Sequence, residues 1–287
     1  MKRLLVVALL LCTTYFIQAQ TRMLVIGAHP DDCELLVGGT AAKVIESGGT
    51  VKFVSMTNGN KGHHIYTPDE IKEVRYKEVQ EVKRRLGCEY DIIDNNDGEL
   101  MATLENRNVV IQLIRDFKAD VVITHPPYDY HPDHRRTSTL VQDAAFMVTV
   151  PHVLPEVPYL RNNPVFLYTG SRYVNPMNPN PEIAVDITDL VDHKGYIVDA
   201  HVSQLYEWLP WINQDKRPIP QTKEERKTYM HNYILNRNKV MDHMKPAIKK
   251  WYGKEAKKVK AVEVFEICEF GRKVNDEVIV ELFPFLK

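Results

Sequence analysis

Short apolar runs alternate with amphipathic segments through the first half of the chain. The apolar runs lie in "MLVIGAHPDD", "VKFVSMTNG", "YDIIDNNDG" and "VVITHPPYDYHPDH", and each is followed by polar residues, glycine or proline. Residues 36–47, 70–86 and 104–117 place apolar side chains at helical spacing. Strands that alternate with helices predict βαβ units, and therefore an α/β fold with a mostly parallel sheet. We expect a ligand site at the carboxyl ends of the strands, where the unusual residues fall.

The second half of the chain has a less regular pattern. Residues 151–181 are rich in proline and asparagine and predict a long irregular loop. "AVDITDLVDHKGYIVDAHVSQ" is typical of a strand followed by a helix, residues 223–243 of an exposed helix, and "KAVEVFEICEFG" of a strand that returns to the sheet. We expect one domain over residues 21–287, in which a helix and a strand in about 206–287 form a C-terminal extension.

The first 20 residues have the layout of a secretory signal peptide. Lys2 and Arg3 precede the apolar run "LLVVALLLCTTYFI" and the short polar exit "QAQ". The apolar run is too short to be interpreted first as a membrane span. We therefore expect cleavage near Ala19 or Gln20 and export of the mature chain to the periplasm or out of the cell.

The composition excludes two classes of protein. With 37 Lys and Arg against 38 Asp and Glu, the chain lacks the positive charge that binding to nucleic acid or to an anionic membrane surface requires. Cys33, Cys88 and Cys268 would remain after removal of the signal peptide, which allows at most one disulfide. The chain is therefore not a small disulfide-stabilised scaffold.

Two of the apolar runs are followed by nearly the same five-residue motif, or word, which is "AHPDD" in the first and "YHPDH" in the second. The proline of each word favours extended backbone at the histidine before it, and proline suits the first position of a helix. Residues three apart in such a turn lie on one side. We therefore expect His29 to lie beside Asp32, and His131 beside His134.

These side chains can form a metal site. A mononuclear catalytic zinc site takes three protein ligands from histidine and carboxylate and keeps one position open for water. His29, Asp32 and one histidine of the second word would complete this set, which leaves Asp31 beside the water as a general base. The other histidine would face the substrate oxygen. A single His-Pro-Asp is more often a turn with a helix-capping aspartate, but two copies at strand ends favour the metal site.

The two words also carry a family resemblance. "AHPDDCELLVGGT" with "HPPYDYHPDHRRT" resembles the LmbE-like, or PIG-L, family of zinc-dependent N-acetylglucosaminide deacetylases. "TNGNKG", "EVRYKEVQEVKRRLG" and "VDITDLVDHKGYIVDAHVSQ" extend the resemblance, so that it covers residue 23 to about 205. The resemblance implies a Rossmann-like three-layer fold with the active site at the carboxyl ends of the strands.

The resemblance implies a role for each polar residue of the two words. Three match the family's metal ligands, one matches the general base, one the residue that steadies the tetrahedral oxyanion, and one the residue that orients it. In that order they are His29, Asp32 and His134, then Asp31, then His131, then Asp133. The implied cofactor is Zn²⁺, with another divalent metal as the alternative.

Several other residues have two interpretations each. Arg75 matches a family arginine that contacts substrate hydroxyls, but it also has the spacing of a helix-surface ion pair with Glu78. Glu34 either hydrogen-bonds a metal ligand or caps the helix that follows. His63 and His64 lie either at the rim of the active site or on the surface elsewhere. Aromatic residues near the loops either stack on a sugar, as we expect for Tyr130, or pack internally: Tyr66, Tyr128, Tyr130, Trp208 and Trp211.

The expected activity is removal of an N-acetyl group from an amino sugar by an exported metal-dependent N-deacetylase. Its partner would be a small molecule or a glycan, with no nucleic acid and no membrane span, and the sequence does not set the oligomeric state. The alternatives are an amidase that cleaves a larger N-acyl or thiol-conjugate amide, and a zinc-binding protein without catalysis. Serine hydrolysis and NAD binding lack support because neither G-x-S-x-G nor G-x-G-x-x-G occurs.

Overall fold

Seven strands form one sheet within residues 20–170 and 180–286, which the computed structural model describes. They are β1 (Arg22–Gly27), β2 (Thr50–Ser55), β3 (Glu89–Ile92), β4 (Val121–Thr124), β5 (Val165–Thr169), β6 (Ile183–Asp186) and β7 (Val262–Ile267). Their order across the sheet is β3-β2-β1-β4-β5-β7-β6. The pairs from β3 to β5 are parallel, whereas β7 is antiparallel to both β5 and β6. The predicted α/β fold with a mostly parallel sheet is confirmed.

Helices cover both faces of this sheet and complete the three layers. They are α1 (Asp32–Glu46), α2 (Pro68–Leu86), α3 (Leu104–Phe117), α4 (Pro132–Met147), α5 (Val191–Val198), α6 (Leu209–Ile212), α7 (Lys223–Arg237), α8 (Lys245–Tyr252) and α9 (Asp276–Leu282). Helices α1, α2 and α5 contribute to the hydrophobic core on one face of the sheet, and α3 and α4 to the core on the other.

Strand β1 shows why its sequence is a continuous aliphatic run. Met23 and Val25 belong to one core, whereas Leu24 and Ile26 belong to the other. Successive side chains of a strand point to opposite faces, so a strand with helices on both sides needs apolar residues at every position. The polar residues that follow β1 therefore mark the point where the chain leaves the core.

The bounds of helix α2 follow from its local sequence. The Thr67 side chain accepts the backbone N–H of Glu70 while the Glu70 side chain accepts that of Thr67, which forms a capping box before Pro68. Gly87 ends the helix in a left-handed conformation with φ 76°. These two signals hold α2 in the register that buries Arg75 and Glu78.

Two predicted elements differ from the structure. The long irregular loop expected over residues 151–181 is wrong at β5, because Val165–Thr169 is a fully buried strand that pairs with β4. The flanking proline and asparagine residues mask this five-residue apolar run. The exposed helix expected over residues 223–243 ends at Arg237, because the chain then forms a bridge between Lys239 and Ala261.

Some expectations lie outside the described residues. Residues 1–19 of the predicted signal peptide and residues 171–179 of the predicted loop are not described. Among the described residues, none of the helices has the length and hydropathy to cross a membrane. Cys33, Cys88 and Cys268 are unpaired. The domain bounds stay a prediction.

Arg115 of α3 fixes the segment that follows α4. Its guanidinium is buried and donates hydrogen bonds to six backbone carbonyls, those of Met147, Val148, Val150, Val153, Leu154 and Val157. Backbone carbonyls that leave regular structure need a donor when they are buried. Four of the six, those of Met147, Val148, Val150 and Leu154, also accept a backbone N–H, so Arg115 gives them a second donor and supplies the donor to Val153 and Val157.

We expect Arg115→Met to lower the free energy of unfolding by about 3 kcal/mol, because the Val153 and Val157 carbonyls lose their donor and four other carbonyls lose one of two. Urea unfolding followed by circular dichroism measures the change. Arg84→Met is the matched control, since Arg84 is exposed and pairs only at the surface, and it should leave the urea midpoint unchanged. An Arg115→Met protein as stable as the parent would contradict this role.

The strand order explains where a site can form. It reverses between β1 and β4, which are parallel neighbours joined through Ile26 and Thr124. At such a reversal the connections leave the sheet toward opposite faces, and a crevice opens beyond the carboxyl ends of the two strands. The words "AHPDD" and "YHPDH" follow these two strands, so both lie at this crevice.

Candidate active site

The turn after β1 is held by the Asp32 carboxylate. Its Oδ2 accepts the backbone N–H of Ala28 at 3.0 Å and that of His29 at 2.7 Å. Asp31 is at the N-cap position of α1, but its side chain makes no capping hydrogen bond. The alternative in which this word is only a helix-capping turn therefore does not describe Asp31.

The second word begins helix α4 in a related way. His131 is the N-cap, and its Nδ1 accepts the backbone N–H of Asp133 at 3.2 Å. Pro132 is the first helical residue, so His134 lies in the first turn and is turned back toward β1. The ring centroids of His131 and His134 are 5.0 Å apart, as the spacing of three residues predicted.

Three predicted ligands present their donor atoms to one another. His29 Nδ1 lies 3.2 Å from His134 Nε2 and 3.3 Å from Asp32 Oδ2. His134 Nε2 lies 3.5 Å from Asp32 Oδ1. Donors about 2.0–2.2 Å from a tetrahedral zinc are about 3.3 Å apart. The donor set of His29, Asp32 and His134 therefore fits a metal ion in its chemistry, and each histidine lies at about this spacing from one oxygen of Asp32, His29 from Oδ2 and His134 from Oδ1.

Other donors surround the same crevice. Within the described residues, three groups have donor atoms within 4.8 Å of one another: His29 with His131 and His134, Asp32 with His125 and His134, and His29 with Asp97 and Asp133. His29 and His134 each belong to two of the three groups, and Asp32 belongs to one. The two ring nitrogens of His29 therefore face two different sets of donors.

Carboxylates hold the distal nitrogens of both predicted ligand histidines. His134 Nδ1 lies 2.9 Å from Asp129 Oδ1. His29 Nε2 lies 3.3 Å from Asp133 Oδ2 and 3.2 Å from Asp97 Oδ1. A carboxylate keeps a proton on the nitrogen that it contacts, so the opposite nitrogen is left free to bind a metal. This pattern favours the Nδ1 side of His29 as the metal side.

The charges of the cluster are strongly coupled. Burial alone would lower the pKa of His29, but Asp133, Asp32 and Asp97 raise it well above its ordinary value. Burial alone would raise the pKa of Asp32, but His134, His125 and His29 hold it well below its ordinary value. The carboxylate of Asp32 is therefore ionised, as a metal ligand must be.

The predicted role of Asp133 needs a correction. We expected its carboxylate to orient His131, but the carboxylate contacts His29 and accepts the backbone N–H groups of Gly98 at 2.7 Å and Leu100 at 3.3 Å. The contact with His131 is instead made by the Asp133 backbone amide. Helix α4 directs the carboxylate toward the loop after β3, and that loop was not predicted to contribute.

Two residues of the site were not predicted. Asp97 lies in "NNDG" after β3, and a carboxylate after a third strand was its only signal. His125 is the first residue after β4, and its Nε2 lies 3.2 Å from Asp32 Oδ2 and 3.1 Å from the Ala28 nitrogen. Its ring stacks on that of His134 at 3.9 Å. Burial is the main cause that lowers the pKa of His125, and the neighbouring His134 is the second. The lowered pKa favours the neutral form of His125.

Arg75 lies behind the predicted general base. Its side chain is 2% exposed, with Nη2 3.0 Å from Asp31 Oδ2 and Nη1 3.0 Å from Glu78 Oε2, and Nη2 also donates to the Pro30 carbonyl. The ion pair with Glu78 exists, but it is buried rather than on the helix surface. Contact between Arg75 and substrate hydroxyls stays a prediction.

The interpretation of Glu34 also needs a correction. Glu34 is fully buried and contacts His201 Nε2, rather than a metal ligand or the start of its own helix. Glu78 lies 3.7 Å from the other nitrogen of His201 and accepts the N–H and hydroxyl of Ser203. Burial disfavours the imidazolium, yet Glu34 and Glu78 raise the pKa of His201 to about 9. Buried charged side chains therefore form a network that runs from Glu34 through His201 and Glu78 to Arg75 and Asp31.

Tyr130 lies at the opening of the crevice. Its side chain is 65% exposed, and its ring is 5.5 Å from that of His134 and 5.7 Å from that of His131, centroid to centroid. Partial burial, and next the charge of Asp32, raise the pKa of the Tyr130 phenol. Its place beside the metal donors is where a substrate-contacting residue would be, and its contact with substrate stays a prediction.

Known proteins are similar to this chain in sequence over much of its length. Residues 24–145 match the family model described as PIG-L, GlcNAc-PI de-N-acetylase. The diacetylchitobiose deacetylase of Thermococcus kodakarensis is 30% identical over 211 residues, which cover 67% of this chain and 74% of that protein. The chain belongs to the PIG-L family. The resemblance expected from "AHPDD" and "YHPDH" is therefore confirmed.

Solved structures share the fold of this PIG-L chain. The N,N'-diacetylchitobiose deacetylase of Pyrococcus horikoshii has a TM-score of 0.65 and 24% identity, and the match covers 86% of this chain and 84% of that one. The 4-carboxy-2-hydroxymuconate hydratase of Pseudomonas putida has a TM-score of 0.67 and 18% identity, with 89% and 98% covered. At these identities the likeness shows the fold alone, and the two names show that one fold carries different reactions.

We expect Asp129→Ala to weaken divalent-metal affinity by about 10- to 100-fold in this PIG-L chain, because His134 would lose the carboxylate that fixes its tautomer. Competition with a chromogenic chelator measures the affinity. Asp143→Ala is the matched control, since Asp143 is an exposed acid on the same helix as His134. Equal affinities of the two variants would show that Asp129 does not support the metal site.

Proposed function

We propose that this PIG-L chain is a metal-dependent hydrolase that removes an N-acetyl group from an amino sugar. The observation that carries the proposal is the meeting of the two words. His29, Asp32 and His134 present donor atoms 3.2–3.5 Å apart, while Asp31 lies next to Asp32 and is held by Arg75. The name of the Thermococcus relative, a diacetylchitobiose deacetylase, supports N-acetylated amino sugars as the substrate class.

Zn²⁺ is the metal that we propose for this site. Two imidazole nitrogens and one carboxylate are the ligand set of several catalytic zinc sites, which keep a further position open. His29, Asp32 and His134 would hold the ion. When bound, the ion would polarise the acetamide carbonyl and lower the pKa of a water molecule. Another divalent metal with the same ligands remains the alternative.

Asp31 is the residue that would move the proton. Its Oδ2 faces Arg75, which leaves Oδ1 as the oxygen available to a water in the crevice. Asp31 would accept a proton as that water attacks the amide carbon, and it would return the proton to the nitrogen of the leaving amine. The contact with Arg75 fixes the carboxylate, so the same oxygen can serve both steps.

His131 would stabilise the charge that develops on the carbonyl oxygen. Its Nδ1 accepts the Asp133 backbone N–H, so a neutral ring carries its proton on Nε2. That N–H is a fixed donor for an oxyanion, and no reorganisation is needed when the charge forms. Donors of this kind are worth about 3 kcal/mol of barrier each.

An acetate-release screen tests the proposed function. Purified protein with one equivalent of Zn²⁺ is incubated with N-acetylglucosamine, its β-1,4-linked oligomers, a bulky N-acyl glucosamine and a thiol-conjugate amide, and acetate and free amine are measured. Release of acetate from the acetylated sugars supports the proposal. Cleavage of only the bulky or thiol-conjugate amides would favour the larger-amide alternative, and no cleavage with tight metal binding would favour a binding protein.

We also propose that the chain is exported. The support is the sequence alone, in which Lys2 and Arg3 precede a short apolar run and "QAQ". An exported enzyme of this class would meet glycans or glycoconjugates outside the cytoplasm. Cell fractionation with N-terminal sequencing tests this, and a mature N-terminus near Gln20 in the exported fraction is the expected result. Full-length protein in the cytoplasm would contradict it.

A further inference from the structure

An open aromatic groove lies beside the candidate active site, and its lining contains neither the predicted metal ligands nor Asp31 or His131. The groove has a volume of about 700 Å³, and its lining includes His64, Ile65, Pro210, Trp211, Gln214 and Ile219. Trp211 is 52% exposed. Ile65 and Ile219 of the same lining are exposed as well, and an exposed apolar patch of this kind is typical of a ligand-binding groove.

The rings of the groove are nearly parallel. His64 stacks on Trp211 with centroids 4.4 Å apart and planes within 8°, and Trp208 stacks on Trp211 at 5.3 Å and 20°. Two separate segments, the loop after β2 and helix α6 with the turn before it, supply these rings. His64 and Trp208 thus stack on Trp211 and hold its indole in a defined orientation, with about half of the Trp211 surface left exposed.

Hydrogen bonds fix this surface in advance. His63 Nε2 lies 3.1 Å from Glu207 Oε2, and His63 Nδ1 accepts the backbone N–H of Ile65 at 3.2 Å. Gln204 Nε2 donates to the Gly62 carbonyl at 3.0 Å. The loop that carries His64 is thus tied to the segment that carries the two tryptophans. A preorganised surface loses little conformational entropy when it binds a ligand.

The backbone around the groove departs from regular structure in two places. Ser203–Trp208 forms a π-helical turn, a rare conformation that is frequent at functional sites. Gln214 has φ 52°, in the left-handed region that costs energy for a residue with a side chain. Both irregularities lie on the segment that lines the groove.

The loop that carries His64 also approaches the candidate active site. The loop that carries His64 includes Gly59 and Gly62. A Cβ placed on Gly62 would lie 3.4 Å from Asp97 Oδ2. Asp97 Oδ1 is 3.2 Å from His29 Nε2. Only Gly62 and His63 therefore separate the ring of His64 from a carboxylate that touches a predicted ligand. The aromatic groove and the candidate active site therefore border the same short loop.

We propose that the aromatic groove is a saccharide subsite that binds a pyranose unit next to the unit that loses its acetyl group. This rests on the proposed function and specifies its substrate as an oligosaccharide or a glycan end. One face of a β-linked pyranose is a row of C–H groups that packs on Trp211, while Glu207, Asp215 and Lys216 at the groove can hydrogen-bond ring hydroxyls. The mixture of flat aromatic and charged lining fits a sugar better than a protein surface.

Binding without turnover is the first test. Tri-N-acetylchitotriose is titrated by calorimetry into zinc-loaded Asp31→Asn protein and into the same protein with Trp211→Ala or Trp211→Phe. Loss of the indole should weaken binding by about tenfold, and phenylalanine should restore part of it. Phe146→Ala is the matched control, because Phe146 is an exposed aromatic on α4, outside the groove, and should change nothing. Equal affinity with and without Trp211 would overturn the proposal.

Discrimination between substrates is the second test. The ratio of kcat/KM for triacetylchitotriose to kcat/KM for N-acetylglucosamine should fall by about tenfold in Trp211→Ala, through KM rather than kcat. An unchanged ratio in an enzyme that still releases acetate would overturn the subsite and leave the proposed function standing. If the parent releases no acetate, the calorimetry alone decides the subsite. A Trp211→Ala protein that changes only its oligomeric mass in light scattering would identify the groove as an interface between copies, and would also overturn the proposal.

Discussion

Asp31→Asn is expected to lower kcat by about three orders of magnitude and to leave the metal bound. The amide oxygen cannot accept the proton of water at neutral pH, whereas the ligands His29, Asp32 and His134 are unchanged. The structure separates the two predicted functions, because Asp31 contacts Arg75 while Asp32 contacts the predicted ligands His29 and His134. Acetate release and metal content, measured on the same preparation, check the two parts of this result.

Asp143→Asn is the control for this prediction, since Asp143 is an exposed aspartate away from the crevice and should retain parental activity. Two outcomes would contradict the assignment. If Asp31→Asn turned over substrate like the parent, Asp31 would not be the base. If Asp31→Asn lost its metal, Asp31 would be a ligand, and the chain would need another residue to move the proton.

Arg75→Met is expected to lower both stability and activity. Removing the guanidinium leaves Asp31 and Glu78 as carboxylates without their shared partner in a buried place, and loss of one member of a buried ion pair costs about 3 kcal/mol of unfolding free energy. Asp31 would also lose its fixed position, so we expect kcat to fall by about tenfold or more in protein that remains folded. Urea unfolding and steady-state kinetics below the unfolding transition measure the two effects.

Arg75→Lys is the matched variant, because it keeps the charge but cannot contact Asp31 and Glu78 with two separate nitrogens. It should recover part of the stability and part of kcat. The same pair of variants separates the two interpretations of Arg75. If Arg75 only contacted substrate hydroxyls, its substitution would raise KM without lowering stability. If Arg75 positions Asp31, its substitution lowers stability and kcat together.

The strands of the parallel half of the sheet could be predicted because their signals are local. β1 and β4 are uninterrupted aliphatic runs, and strands covered by helices on both faces require such runs. β5 has the same character, "VFLYT", but it lies within a segment rich in proline and asparagine. Its place was decided by pairing with β4, a contact over more than 40 residues of sequence, and no local pattern contains that contact.

The site residues that could be predicted are those within "AHPDD" and "YHPDH". His29, Asp32 and His134 are found together because each word orders its own residues by turn geometry, and the strand order then brings the two words to one crevice. The partners of these residues could not be predicted in the same way. Asp133 turned out to hold His29, and Glu34 to contact His201, which is 167 positions away in the chain.

The location of bound metal tests the central claim most directly. Anomalous diffraction at the zinc edge, from crystals grown with Zn²⁺, should show one peak about 2.0–2.2 Å from His29 Nδ1, His134 Nε2 and a carboxylate oxygen of Asp32, with Asp31 not coordinated. A peak on the other side of His29, between Nε2, Asp97 and Asp133, would contradict the claim. Coordination by Asp31 would contradict it as well, since no carboxylate would then be free to accept the proton.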